Sequence, residues 1–173
     1  MGFGEAIRSV FSKYVTFSGR ARRSEYWYFY LFTVLAGMAA ALIDAIIPGA
    51  SGSEAFRNSG GPVQAILNLA LILPTLAVTV RRLHDTGHSG WLMLGFVAFA
   101  VVALIVFVIG AGAGLSGGQS HPEFGGAMIV GIVMLLGIFG FAIYLFVLMV
   151  SNGTHGTNRY GDDPKGPNVE VFS

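Results

Sequence analysis

Apolar residues gather into four long runs along this chain, with the polar residues collected between them. The first run extends from about Tyr26 to Ile47 and is closed by Pro48-Gly49. The second opens at Pro62 and ends at Val80, before Arg81 and Arg82; it carries Gln64, Asn68, Pro74, Thr75 and Thr79 but no charge. The third runs from Trp91 to about Gly110, where the stretch GAGAGLSGG interrupts it, and the fourth from about Gly126 to Val150, stopped by Ser151-Asn152-Gly153. A bilayer core of roughly 30 Å is crossed by about 20 apolar residues of helix. Each run therefore predicts a transmembrane helix, over about 26–47, 62–80, 91–110 and 126–150. Pro62 suits a first helical turn, where its missing N–H has no partner to lose. Pro74 predicts a bend, with Thr75 or a neighbouring helix satisfying the carbonyl it frees.

A shorter pattern precedes the first run. Phe3, Ile7, Val10, Phe11 and Tyr14 recur at helical spacing, with Glu5, Arg8, Ser9, Ser12 and Lys13 on the other side. This amphipathic helix has two open placements: flat in the headgroup plane with its apolar face among the acyl chains, or docked under the chain's own bundle. The first long run reads as a retained anchor, because it begins about 25 residues in and opens with the belt-forming aromatics Tyr26, Trp27, Tyr28, Phe29 and Tyr30. The predicted organisation is an amphipathic interfacial helix over 1–17, an all-α four-helix membrane bundle over 18–150 and a polar tail over 151–173.

Composition agrees. The chain of 173 residues is 54% hydrophobic and only 11% charged, against about a quarter charged in ordinary soluble domains. It lacks cysteine, which excludes a disulfide framework, a catalytic thiolate and a cysteine zinc site. A net charge of +1 argues against nucleic-acid binding. Charge also sets the threading. Arg8, Lys13, Arg20, Arg22 and Arg23 precede the first run, Arg81 and Arg82 lie between the second and third, and Arg159 and Lys165 follow the fourth. Arg57 alone falls in the other two connections. By the positive-inside rule both termini are expected in the cytoplasm.

Small residues suggest how the helices pack, since backbones in lipid associate by close approach. Gly37, Ala41 and Ala45 form one stripe on the first run, with Ala36, Ala40 and Asp44 beside it; the fourth carries Gly131, Gly137 and Gly140. Asp44 is the one formal charge inside a run. An intramembrane acid is a functional candidate by default, but near Pro48 it is expected to stay hydrated or to serve a helix terminus. Gln64 and Asn68 are expected to hydrogen-bond between helices.

Three polar motifs share the expected cytoplasmic side: FSGRARRSEYW (Phe17 to Trp27), RRLHDTGHSGW (Arg81 to Trp91) and NRYGDDP (Asn158 to Pro164). Together they resemble the signatures of the bacterial inner-membrane family called domain of unknown function 805, whose members are small and share a GRxxRxEYW-like entry, an RLHDxGxSGW hairpin and a GxNRYGxDP tail. The resemblance covers about Phe11 to Pro164 and implies a bacterial cytoplasmic (inner) membrane protein. It implies no activity.

In the middle motif Gly87 and Gly90 are suited to the positive φ of a tight return, and Trp91 to the interface belt, like Trp27. Arg81 and Arg82 end the second run, where a cation complements the helix dipole. Adjacent helical residues face apart, so His84 and Asp85 need partners from elsewhere. The other motifs offer Arg20, Arg22, Arg23, Glu25, Asn158, Arg159 and Asp163. In the simplest arrangement Glu25 and Asp85 or Asp163 pair with Arg20, Arg23 or Arg82, clipping the segments into a cap. Such an arginine and amide cluster also suits a lipid phosphate, a nucleotide phosphate or a partner's carboxylate. Tyr160-Gly161 and Asp163-Pro164 read as consecutive turns. No nucleophile motif, zinc motif or phosphate loop occurs, and His121 reads as a solvated loop residue. No catalytic residue, metal or cofactor is assigned. The expected partners are the bilayer, with its anionic headgroups, and a membrane-protein partner or second copy. The leading function is non-catalytic binding of a protein partner or anionic lipid through the cytoplasmic face. The alternatives are a small oligomeric transporter or channel using Pro74, Asn68 and Asp44, and an interfacial lipid-headgroup enzyme using His84 and Asp85.

Overall fold

The computed structural model describes residues 1–47, 60–116 and 122–166. Five helices account for most of them: α1 (Phe3–Ser12), α2 (Arg23–Ile46), α3 (Pro62–Asp85), α4 (Trp91–Ser116) and α5 (Pro122–Val150). The last four are each long and apolar enough to cross a membrane. Their boundaries refine the sequence reading. The second run continues five residues past Val80, so that RRLHD is helical, and α4 continues past Gly110 to Ser116. Pro48-Gly49, Arg57 and His121 lie outside the described residues.

The chain forms two compact units. One comprises residues 1–88 with the tail from Asn152; the other comprises residues 89–151. In the second unit α4 packs on α5, with Phe96 edge-on to Phe141 at 5.2 Å between ring centroids. Gly137 faces the Phe99 ring so closely that an added Cβ would sit 3.1 Å away, and Gly131 faces Phe107, as expected of small residues in a lipid-embedded pair. Gly140 faces open space.

In the first unit α1 and α3 both pack on α2. Val10, Phe29, Leu71 and Val78 meet in the core, with Ala21 from the segment between α1 and α2. α1 docks on its own bundle: Ala6 and Val10 are completely buried, and Phe11 lies edge-on to Phe29 and Phe32. On α2 the buried row is Ala40 and Asp44, not the Gly37-Ala41-Ala45 stripe, whose two alanines are exposed. Gly37 faces the Gln64 side chain. Gln64 in turn donates to Asn68 at 3.2 Å within α3, so this pair bonds along one helix rather than between two.

Two polar clips tie α3 in place. Asp44 is 2% exposed, so it is not a hydrated acid. Its Oδ1 accepts from the Val63 backbone N–H at 3.0 Å and its Oδ2 from that of Gln64 at 2.8 Å. These are two of the four donors a helix start leaves unpaired. A carboxylate there also meets the positive end of the helix dipole, so Asp44 caps α3 from the neighbouring helix. Gly61, with φ +143°, leaves room for it; a Cβ there would overlap the carboxylate. The second clip sits at Pro74. Its missing N–H orphans the Ala70 carbonyl one turn back, and the Tyr14 hydroxyl donates to that oxygen. Thr75 is not the donor; its own carbonyl accepts from Thr79 at 2.7 Å.

Tyr14→Phe is therefore expected to cost about 1 kcal/mol of unfolding free energy. In a Pro74→Ala background, where residue 74 regains an N–H for Ala70, the same change is expected to cost much less. Equal losses in both backgrounds, read by denaturant titration in detergent, refute the assignment.

Candidate functional site: a buried arginine–aspartate cap

The polar end of the first unit is built around one carboxylate. Asp85, the last residue of α3, is 2% exposed, so an ionised group there requires partners. Arg20, from the first motif, reaches Asp85 Oδ1 through Nε at 3.0 Å and Nη2 at 2.9 Å. Arg82, one turn back on α3, takes Oδ2. Both arginines are buried. The Arg20 guanidinium spends its remaining donors on the tail: Nη1 on the Gly156 carbonyl at 2.6 Å and Nη2 on that of Thr154 at 2.5 Å. One side chain thus joins the first two motifs to the tail.

The tail reaches this position because Gly153 lets it. A Cβ at Gly153 would overlap the Asp85 carboxylate. The next residue closes the contact: the Thr154 N–H donates to the Asp85 carbonyl at 2.8 Å. Asn158 adds a second stitch, its Nδ2 donating to the His84 carbonyl at 3.0 Å and to Thr154 Oγ1 at 2.9 Å. The turn 158–161 is closed by reciprocal backbone bonds of 3.0 Å between Asn158 and Gly161. It holds Tyr160 flat on the His84 ring, 3.9 Å between centroids and 1° from parallel. His84 Nδ1 lies 3.1 Å from the Gly19 carbonyl. Arg159 covers the outer face of Tyr160 at 4.7 Å and donates to the Gly87 carbonyl at 3.1 Å. Gly87 has φ +79° and makes the return after α3; Gly90 has no positive φ.

A separate pair sits one turn deeper. Glu25, in the first turn of α2, accepts from Arg81 Nη1 at 3.1 Å and from Ser9 Oγ of α1 at 3.1 Å. The sequence reading offered Glu25 the arginines 20, 23 and 82; helix register instead turns Arg81 inward toward α2, while Arg82 faces Asp85. Arg81 and Arg82 are 1% and 0% exposed, so neither reaches the headgroups that the end of a span suggests. Arg23 is half-buried at the start of α2. Among the described residues Asp163 forms no salt bridge with an arginine. It accepts from the backbone N–H groups of Lys165 at 2.9 Å and Gly156 at 3.0 Å. Those bonds, led by Lys165, hold its carboxyl below the usual range. The turn it secures is fully supported above the ordinary carboxylate pKa and released as pH falls through the depressed one. Trp27 is half-buried and Trp91 is 77% exposed. Among the described residues no three histidine or acidic side chains gather as metal ligands.

The sequence reading named Arg20, Arg82, His84, Asp85, Asn158 and Arg159, all of which meet here. It missed Gly19, Gly153 and Thr154. Gly153, just past a membrane span, was the available signal, and it was read as part of a helix stop. Removing one partner from a buried ion pair leaves an uncompensated charge and costs about 3–5 kcal/mol. Asp85→Asn, which leaves two arginines facing a neutral amide, is expected to lose that much stability. Gly153→Ala is expected to lower the melting temperature as well, while the exposed Asp162→Asn leaves it unchanged. An unchanged melting temperature in Asp85→Asn removes the carboxylate from its central place.

Comparison with known proteins places these segments within one family. The family model described as protein of unknown function (DUF805) matches residues 14–162, a range that contains the whole Asp85 cap. Inner membrane protein YhaI of Escherichia coli K12 is 35% identical over 159 residues, covering 91% of this chain and 92% of that protein. Inner membrane protein YhaH of the same strain is 36% identical over 110 residues, 62% of this chain and 85% of that protein. No solved structure matches the chain. The three motifs that converge on Asp85 and the match across nearly the full span place this four-span membrane protein in the DUF805 family.

Proposed function

We propose that this chain is a non-catalytic component of the bacterial cytoplasmic membrane, with both termini in the cytoplasm, whose cytoplasmic cap binds an anionic lipid headgroup or an acidic group of a partner protein. One observation carries the reading: three sequence-distant polar motifs fold into a single rigid cap at one end of α2 and α3. At the other end the described polar contacts include the Asp44 clip and the Gln64–Asn68 bond, which stay within the helices. The cap satisfies its own core. Asp85 is held by Arg20 and Arg82, which leaves the outward cations of this face as the groups that meet a ligand. The basic count on the cap side supports the orientation.

A catalytic use of His84 and Asp85 gains little support. Asp85 turns its oxygens to two arginines, and His84 turns Nδ1 to the Gly19 carbonyl with its ring under Tyr160. General acid–base work needs these groups within reach of a substrate proton. A second reading, a transporter or channel, is favoured by a groove of about 540 Å³ beside α2 and α3, lined in part by Tyr30, Thr33, Asn68 and Thr75. Asp44 is spent on the α3 cap, so a path of this kind runs past Asn68. Flux in proteoliposomes that is lost in Asn68→Leu promotes this second reading.

Orientation is the first test. Because the chain has no cysteine, single cysteines at Arg8, His88 and Lys165 can each be labelled with a membrane-impermeant maleimide. All three are expected to react in inverted vesicles and to resist in intact spheroplasts. Labelling of any of them from outside overturns the reading.

A further inference from the structure

The polar end holds a second feature, a cleft of about 350 Å³ whose walls include Glu5 and Ser9 of α1, Lys13 just after it, Arg20, and Arg22 and Glu25 at the start of α2. That volume lies in the roughly 300–1,000 Å³ range of small-molecule sites. The charges around it do not cancel. Glu5 lies 3.9 Å from the N-terminal ammonium, Glu25 is engaged by Arg81 and Ser9, and Arg20 is committed to Asp85. Among the described residues, Lys13 and Arg22 make no ion pair, so two cations face the cleft uncompensated. Arg22 is also the N-cap of α2, a 24-residue helix that no side chain caps, so the positive end of its dipole adds to them. Behind Glu25, Arg81 keeps Nη2 buried with no hydrogen-bond partner.

Surroundings identify the source of the anion. Phe11, Val15 and Phe17, on either side of Lys13, are 39%, 61% and 41% exposed. Apolar side chains exposed beside cations are the composition of a segment that lies at the headgroup level. We propose that the cleft between α1 and the start of α2 is a phospholipid headgroup site, in which Lys13 and Arg22 hold the phosphate and Glu25 faces the hydroxyl-bearing remainder of the headgroup. The proposal rests on the lipid arm of the functional reading above and places the lipid beside Arg20, whose donors are already used by Asp85 and the tail.

The test uses the full chain, delipidated in a neutral detergent and titrated with phosphatidylglycerol or phosphatidylcholine under native mass spectrometry. The unaltered chain is expected to retain phosphatidylglycerol preferentially. Lys13→Gln with Arg22→Gln is expected to reduce that retention by on the order of tenfold, with the melting temperature held and with Arg159→Gln, on the far side of the cap, without effect. Retention undiminished in the double variant overturns the cleft while leaving the functional reading in place. No preference for phosphatidylglycerol in the unaltered chain overturns the lipid arm itself. Inorganic phosphate at millimolar concentration is expected not to displace the lipid; displacement assigns the cleft to a free anion and overturns the headgroup site.

Discussion

An ionised carboxylate buried at the end of a membrane helix is the constraint around which the polar end is organised. Asp85 has lost nearly all its water, and its two oxygens are met by Arg20 and Arg82. Desolvating a charge pair costs several kcal/mol per ion and is recovered only when the geometry is good and the remaining donors are satisfied. Arg20 meets that condition by giving its outer donors to the carbonyls of Thr154 and Gly156. The carboxylate thereby dictates where the N-terminal segment and the tail must lie, although its own position is fixed by the last turn of α3.

The rest of the unit shows the same logic at lower stakes. Within an apolar surrounding a polar backbone group must be paired, so each break in a helix calls for a specific donor or acceptor. Pro74 orphans a carbonyl and Tyr14 supplies the donor; the start of α3 exposes N–H groups and Asp44 supplies the acceptor. Asp44 comes from α2 and Tyr14 from the turn after α1. Each repair of local geometry is thus also a tertiary contact, which is how α1, α2 and α3 hold together in a setting where apolar burial alone discriminates poorly between partners.

Much of this was legible in the sequence, for reasons that differ by element. The four spans follow from hydropathy because lipid leaves helices almost no alternative. The convergence of the polar motifs was readable from His84 and Asp85, which sit adjacent on a helix and must each find a distant partner. Their specific pairings were not. Whether Glu25 meets Arg81 or Arg82 depends on the register of α3 at its end, and hydropathy alone closes that run at Val80, five residues short. The buried row on α2 was misread because Ala40 with Asp44 and Ala41 with Ala45 share one spacing, and only the acid's need for the α3 terminus separates them. Gly153 left little trace, since a glycine required for close approach looks the same in a sequence as one in a turn.

The account rests on Arg20 and Asp85 acting as one unit. A double-mutant cycle, with Arg20→Ala, Asp85→Ala and the pair compared by denaturant unfolding in detergent, measures this directly. The account predicts that the double variant loses far less than the sum of the single ones, with a coupling within the roughly 0.5–3 kcal/mol seen for contacting residues and toward its upper end. Additive losses would show that the two side chains merely lie close, and would contradict a cap organised around the Asp85 carboxylate.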